Sequence, residues 1–352
     1  MTSFSKALLE WHALHPRPMP WSETKDPYKI WLSEIILQQT RVTQGWAYFE
    51  KFVSHYPTVF DLAAASEDNI LKDWQGLGYN SRARNLHASA KYIVEELDGQ
   101  FPDTYEEILK LKGVGPYTAS AISSFAFDLP YPVVDGNVKR ICARFFGIQS
   151  SIDDSKTHQL IEKQALSLMG KHPSAIFNQA IMNFGALQCI PRNPDCSTCP
   201  VATDCKAFAT GLQNQLPVRS VKKKREKRFF HYFMIVFGNQ ILLRKRVKKD
   251  IWQNMYELPM LEKMSKSRLS NIEKEAFLKE LGIKNAKIGS EQIQYQQILT
   301  HRIIQGTFHT LETKKIPATI LEGDYLVDLK NLKNFALPKI VRLYLKEQWS
   351  IN

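Results

Sequence analysis

The stretch LKGVGPYTASAISSFAFDLPYPVVDGNVKR, residues 111–140, decides the fold. It reads as a glycine hairpin between two helices, then a short extended run that delivers Asp135 to the start of another helix. Gly113 and Gly115 permit a tight turn and a close approach to the backbone. Pro116 suits a first helical position, where its missing N–H would be unpaired anyway. Free N–H groups at that helix start suit a phosphate. Asp135 falls where the dipole of the helix carrying Val138, Ile141, Cys142 and Phe145 favours negative charge, so it is expected to stay ionised. A carboxylate so held can stabilise a developing cation. A GVG turn or an Asp before a helix is common singly, but the two at this separation point to chemistry on a nucleotide in DNA.

Helix-period apolar patterns surround that unit from residue 29 to 210, in YKIWLSEIILQQ, NLHASAKYIVEEL and FNQAIMNFGALQ, so this region is expected to be all-α. Thr104 precedes Glu107 by three residues, which predicts a capping box at the helix that feeds the hairpin. Residues 211–228, GLQNQLPVRSVKKKREKR, are polar and basic and read as an exposed linker. The character then changes. RFFHYFMIVFGNQILLRKR predicts two strands joined by a Gly-Asn turn, with further strand-type runs around 293–310, so a smaller α+β domain starts near residue 229.

With 352 residues, 44% of them hydrophobic and 23% charged, the chain has ordinary globular composition and enough length for two cores. The opening MTSFSKALLEWHALHPRP reads as an amphipathic helix rather than an export signal, and no apolar run is long enough to cross a bilayer. An intracellular protein with no membrane partner is expected. A net charge of +12 favours a polyanion, with nucleic acid the first candidate partner.

Four of the five cysteines, Cys189, Cys196, Cys199 and Cys205, crowd into one loop. In a reducing interior this argues for a metal centre over disulfides. Only Cys196 and Cys199 have the short spacing of a zinc knuckle, and a single long loop suits a 4Fe-4S cluster better. Arg192 and Lys206 make the loop electropositive. Cys142, alone on an apolar helix face, reads as core.

LKGVGPYTA, VVDGNVKR and the cysteine loop together resemble the helix-hairpin-helix DNA glycosylase superfamily that includes endonuclease III. Within it, PWSETKDPYKIWLSEIILQQTRV, GLGYNSRARNLHASA and the C-terminal domain resemble the adenine DNA glycosylase (MutY) family. The resemblance implies residues 1–210 as an all-α helix-hairpin-helix glycosylase region. Its six-helix part spans about 26–134, and the N-terminal helix with 135–210 forms the iron-sulfur part. The linker 211–228 and a Nudix-like lesion-recognition domain at 229–352 follow. The implied partner is double-stranded DNA with adenine opposite 8-oxoguanine or guanine, bound by a monomer. Bifunctional relatives place a lysine where this chain has Tyr117, and a phenol cannot form a Schiff base, so a monofunctional enzyme that leaves an abasic site is implied.

Glu34 lies among Ile30, Trp31 and Leu37, surroundings that raise a carboxyl pKa and suit a general acid, and LSEIILQQT matches the family's catalytic helix. The resemblance makes Glu34 the proton donor to adenine N7 and Asp135 the stabiliser, or transient nucleophile, of an oxocarbenium-like sugar. It assigns Tyr117 and Asn137 to support the sugar and the departing charge, and Arg17, Trp21, Leu37 and Gln179 to the adenine pocket. Gln39, Thr40 and Tyr79 match residues that wedge into the duplex, and Lys139 is expected on a phosphate. The family's Phe-Ser-His tip appears as Leu299-Thr300-His301, keeping a hydroxyl and the His301 imidazole but losing aromatic stacking. Gln253-Asn254 replaces glycines, Lys112 a proline and Asn80 a tyrosine. With no intact Nudix signature, nucleotide hydrolysis is not expected. An endonuclease III-like pyrimidine enzyme, a thymine-mismatch glycosylase and a non-catalytic DNA-binding or iron-sulfur sensor protein are the alternatives.

Overall fold

The structure is a computed structural model that describes residues 3–17, 19, 22, 24–221, 224–283, 287–313 and 320–351. Its contacts divide the chain into two compact units, residues 1–64 with 85–221, and residues 65–84 with 222–352.

The first unit is helical. Its elements are α1 (Ser3–Leu14), α2 (Pro27–Leu37), α3 (Val42–His55) and α4 (Val59–Ala64), then, beyond α5 (Glu67–Asp73), most of α6 (Ser81–Glu96). They continue through α7 (Tyr105–Lys110), α8 (Pro116–Phe127), α9 (Gly136–Phe146), α10 (Ser155–Met169), α11 (Ser174–Leu187) and α12 (Lys206–Ala209). The α2 helix starts because the Asp26 carboxylate accepts from Tyr28 N at 2.9 Å and Pro27 occupies the first turn. From Ile30 to Ile36 every residue of α2 is buried, so it is a core helix with apolar groups all round. The α1, α9, α10 and α11 helices share a second core through Phe4, Leu8, Ile141, Ile161, Phe177 and Phe184. Cys142 lies in it at 0% exposure, as its apolar setting predicts.

The hairpin forms where expected. Gly113 has φ +84°, a conformation costly for any residue with a Cβ, and a Cβ there would meet Asn85 at 2.8 Å. The predicted capping box is half made. Thr104 accepts from Glu107 N at 3.4 Å, but the Glu107 carboxylate turns to accept from the Thr104 hydroxyl at 2.9 Å.

The stretch read as an exposed linker also differs in its first half. Leu216 is buried, Arg144 Nε donates to its carbonyl at 3.0 Å, and Ile152 N donates to Val218 O at 3.0 Å. One apolar side chain and a buried guanidinium in need of acceptors are enough to fasten this polar segment to the helical unit.

The second unit is built on a seven-stranded mixed sheet: β1 (Glu226–Phe237), β2 (Gln240–Lys245), β3 (Tyr256–Glu257), β4 (Met260–Lys263), β5 (Lys287–Ile298), β6 (Arg302–Glu312) and β7 (Asp324–Asp328). The order is β3-β2-β1-β6-β5, with β4 on β1 and β7 on β2, and β1 runs parallel to β6 while the other pairs are antiparallel. A central strand is covered on both faces, which is why HYFMIVF in β1 is wholly buried. Phe233, Ile235 and Phe237 meet Phe277 and Leu278 of α13 (Asn271–Glu280). On the other face Tyr232 stacks on Phe308, and Phe308 on Tyr344 of α14 (Lys339–Trp349) at 4.1 Å between centroids.

Residues 65–84, helical as expected, group with this sheet unit because their polar groups bond to it. Tyr256 Oη and Lys245 Nζ donate to Asp68 at 2.9 and 2.7 Å, and Arg84 Nη1 donates to Gln253 O at 2.9 Å. Asn254, in the place of a glycine, keeps the left-handed backbone (φ +64°) that asparagine tolerates.

Candidate active site and cysteine loop

Glu34 and Asp135, a hundred residues apart, line one cavity of about 1040 Å³ in the helical unit. The α2 helix carries Glu34 in its last turn, 6% exposed, on the side turned to α8. Asp135 caps α9, its Oδ1 accepting from Val138 N at 2.8 Å and its Oδ2 from Asn137 Nδ2 at 2.8 Å. Tyr117, second residue of α8, hydrogen-bonds to Glu34.

Burial pushes the Glu34 carboxyl up to about 7. The Tyr117 hydrogen bond pulls it down and the Asp135 charge pushes it up again. Burial also lifts Asp135 above its ordinary value, against the hydrogen bonds of Val138 and Asn137 and the charge of Arg140. At Asp135 desolvation thus outweighs the stabilisation of the charge by the donors of the helix start. Burial, followed by the charges of Glu34 and Asp135, pushes the Tyr117 phenol well up, so it remains an O–H donor. The cavity thus presents one carboxyl poised near neutrality and one carboxyl tethered by three protein donors, the pairing that acid and charge-stabilising roles require.

Arg17, Leu37, Gln179, Asn137, Lys139, Gly115, Gln39 and Thr40 line the same cavity. Trp21 lies outside the described residues. Gly115 has an ordinary negative φ, and a Cβ there would meet nothing, so its bareness leaves the α8 start open to the cavity rather than relieving strain. Gly113 belongs to the turn and does not line the cavity. Gln39 has φ +56°, uncommon for a residue with a side chain and often found at functional sites.

Tyr79, Thr300 and His301 belong to the sheet unit. Tyr79 is exposed with φ +48°, and its hydroxyl contacts the Thr300 hydroxyl. The tip is a tight turn closed by Leu299 N donating to Arg302 O at 2.8 Å and by Glu226 N donating to His301 O at 3.0 Å.

Among the described residues no three His, Cys, Asp or Glu side chains converge as ligands of a single metal ion. Cys189, Cys196, Cys199 and Cys205 instead line one small pocket with Phe145, Phe184 and Val201. Val201 N bonds to Cys199, Ala207 N and Phe208 N to Cys205, and Arg144 Nη1 donates to Cys189 Sγ at 3.3 Å. Four free thiols with N–H and guanidinium donors aimed at sulfur are a donor set that fits an anionic thiolate-bound cluster.

Two arginines escaped the sequence reading. Arg140 Nη2 donates to Asn137 Oδ1 at 3.0 Å and Arg140 Nε to Cys189 O at 2.7 Å, linking the cap of α9 to the loop. Arg144, whose Nη1 faces Cys189 Sγ, also donates to the carbonyls of Ile190 and Pro191 at 2.7 and 2.8 Å. Their available signal was two arginines one helical turn apart beside the apolar stripe Val138, Ile141, Cys142. Gly185 lets α11 approach α9, since a Cβ there would lie 2.5 Å from Asn137 Cβ.

Residues 32–165 match the HhH-GPD superfamily of base excision DNA repair proteins, and residues 231–347 match the NUDIX domain. An adenine DNA glycosylase of Buchnera aphidicola subsp. Schizaphis graminum is 33% identical over 351 residues, covering 97% of this chain and 98% of that protein. Another, from Buchnera aphidicola subsp. Baizongia pistaciae, is 37% identical over 73% of each chain. The solved structure of a thermostable thymine-DNA glycosylase superposes with a TM-score of 0.55 at 30% identity, over 59% of this chain and 95% of that one. With likeness along nearly its whole length, a helix-hairpin-helix unit and an appended NUDIX domain, the chain belongs to the adenine DNA glycosylase family and is a DNA glycosylase of base excision repair.

Proposed function

We propose that this enzyme hydrolyses the N-glycosidic bond of adenine opposite 8-oxoguanine or guanine and leaves an abasic site. The observation that carries the reading is the shared cavity of Glu34 and Asp135, with burial pushing Glu34 up to about 7. An extruded adenosine would meet two carboxyls in different states. Glu34, protonated, donates to N7 and makes the base a better leaving group. Asp135, held by Val138 N and Asn137 Nδ2, stabilises the positive sugar or bonds to it transiently, and water completes the displacement. Tyr117 orients the Glu34 proton, and with no lysine at that position strand cleavage is not part of the reaction.

Arg17, Leu37 and Gln179 form the base pocket, Lys139 takes a phosphate, and Gln39, Thr40, Tyr79, Thr300 and His301 read the opposite strand. The hydroxyl contact of Tyr79 with Thr300 supports their acting together. The cysteine loop holds a 4Fe-4S cluster that orders the loop and, through Arg140, steadies the α9 cap. The protein acts as a monomer inside the cell.

The test is a cleavage assay on duplexes with A opposite 8-oxoguanine, T opposite G, and thymine glycol. Adenine release that needs alkali for strand scission is expected. Activity confined to the other lesions overturns the reading. Brown protein with iron and sulfide is expected on purification, and colourless protein with one zinc overturns the cluster.

A further inference from the structure

We propose that Arg219 is a phosphate clamp at the mouth of the catalytic cavity, contributed by the segment whose composition reads as mere linker. The segment is strapped to the helical unit on both sides of this residue. Ile152 N donates to Val218 O at 3.0 Å, Ser220 N donates to Asp153 Oδ2 at 2.9 Å, and the Ser220 and Ser151 hydroxyls are 2.9 Å apart. Leu216, buried, anchors the strap one turn earlier, under the Arg144 guanidinium.

A backbone fixed at 218 and 220 leaves residue 219 little choice of place. Its side chain lines the same cavity as Asp135, Asn137 and Lys139. The charge of Arg219 is close enough to Arg140 to lower that residue's pKa. The Asp153 carboxylate nearby is engaged by Ser220 N, and Arg219 forms no ion pair among the described residues. An exposed cation that lines the same cavity as Lys139 and feels the charge of Arg140 gains most from an anion. A guanidinium matches the two non-bridging oxygens of a phosphodiester. The nucleotide drawn into the cavity brings its own phosphate to that mouth, so the clamp holds the backbone of the extruded nucleotide while Glu34 and Asp135 act on base and sugar. The assignment rests on the adenine-glycosylase reading of the cavity.

The experiment measures binding of the full-length wild type, Arg219→Ala and Arg219→Lys to a duplex carrying a tetrahydrofuran abasic analogue, across a range of salt. Losing one phosphate contact is expected to weaken Arg219→Ala binding by about fivefold near 0.15 M salt and to reduce the log–log salt slope by roughly 1. Arg219→Lys should keep the slope and recover part of the affinity. A thermal midpoint and visible spectrum equal to wild type establish that the variants are folded, as expected of an exposed side chain. Unchanged affinity and slope in folded Arg219→Ala overturn the clamp. Because the probe carries no adenine, an enzyme that released no adenine would defeat the catalytic reading while leaving this measurement valid.

Discussion

Two glutamates, one in each unit, are both buried, Glu34 at 6% exposure and Glu257 at 3%, and burial raises both carboxyls to about 7. Their surroundings differ. Glu257 in β3 pairs with Arg246 Nη1 at 2.6 Å beside the buried Tyr232, and it does not line the cavity that holds Glu34. Glu34 faces a cavity, has among the described residues a neutral phenol as its side-chain donor, and shares its site with a second carboxyl. A raised pKa therefore marks burial, and only the open space and the company of the group mark a site.

The comparison breaks most sharply in activity. Glu34→Gln and Asp135→Asn are each expected to slow adenine release by roughly a thousandfold or more, with DNA binding largely kept, since a general acid or charge stabiliser supplies effects of that order. Single-turnover base release and gel-shift affinity read the two quantities separately. Glu257→Gln should leave the rate per folded molecule unchanged.

Stability should reverse the ranking. Glu257→Gln removes the buried carboxylate that Arg246 meets at 2.6 Å, leaving that guanidinium only Asp250 at 3.2 Å, and is expected to cost roughly 1–3 kcal/mol in denaturant unfolding. Glu34→Gln should do the opposite above neutral pH. The native Glu34 pKa lies above its unfolded value, so between about 4.5 and 7 the folded state holds the extra proton, and stability falls as pH rises through that window. Glutamine removes the loss. A gain of about 3 kcal/mol is expected above pH 7 and none below 4.5. A gain independent of pH would show that Glu34 is not the group responsible.

A smaller effect sharpens the role of the phenol. Tyr117→Phe removes the hydrogen bond that pulls Glu34 down, so the alkaline limb of kcat/KM, expected near pH 7, should move up by about one unit. A downward shift would place the hydroxyl elsewhere.

Much of this was legible in the chain. The α2 run is apolar on every side of Glu34, so its burial followed from local pattern. Gly113, Pro116 and Asp135 carry backbone requirements that only their residue types satisfy cheaply, and they fixed the hairpin and the cap. The four cysteines were visible by crowding alone. The strap at 216–220 was not, because a polar, basic run has no periodicity and its fastening depends on Asp153, Ile152 and Arg144, far away in sequence. Nor was the grouping of residues 65–84 with the sheet, which rests on hydrogen bonds to Tyr256, Lys245 and Gln253.

By itself the sequence determined the helical and sheet regions, the hairpin, the cap at Asp135, the cysteine loop and the kinship to adenine DNA glycosylases, because these follow from local backbone preference, apolar period and motif. Tertiary structure alone decided that desolvation overrides the helix dipole at Asp135, that Arg140 and Arg144 tie the α9 helix to the cysteines, and that Arg219 enters the cavity wall. Each of these is set by the dielectric surroundings and partners of a charge, and those exist only once distant segments have come together.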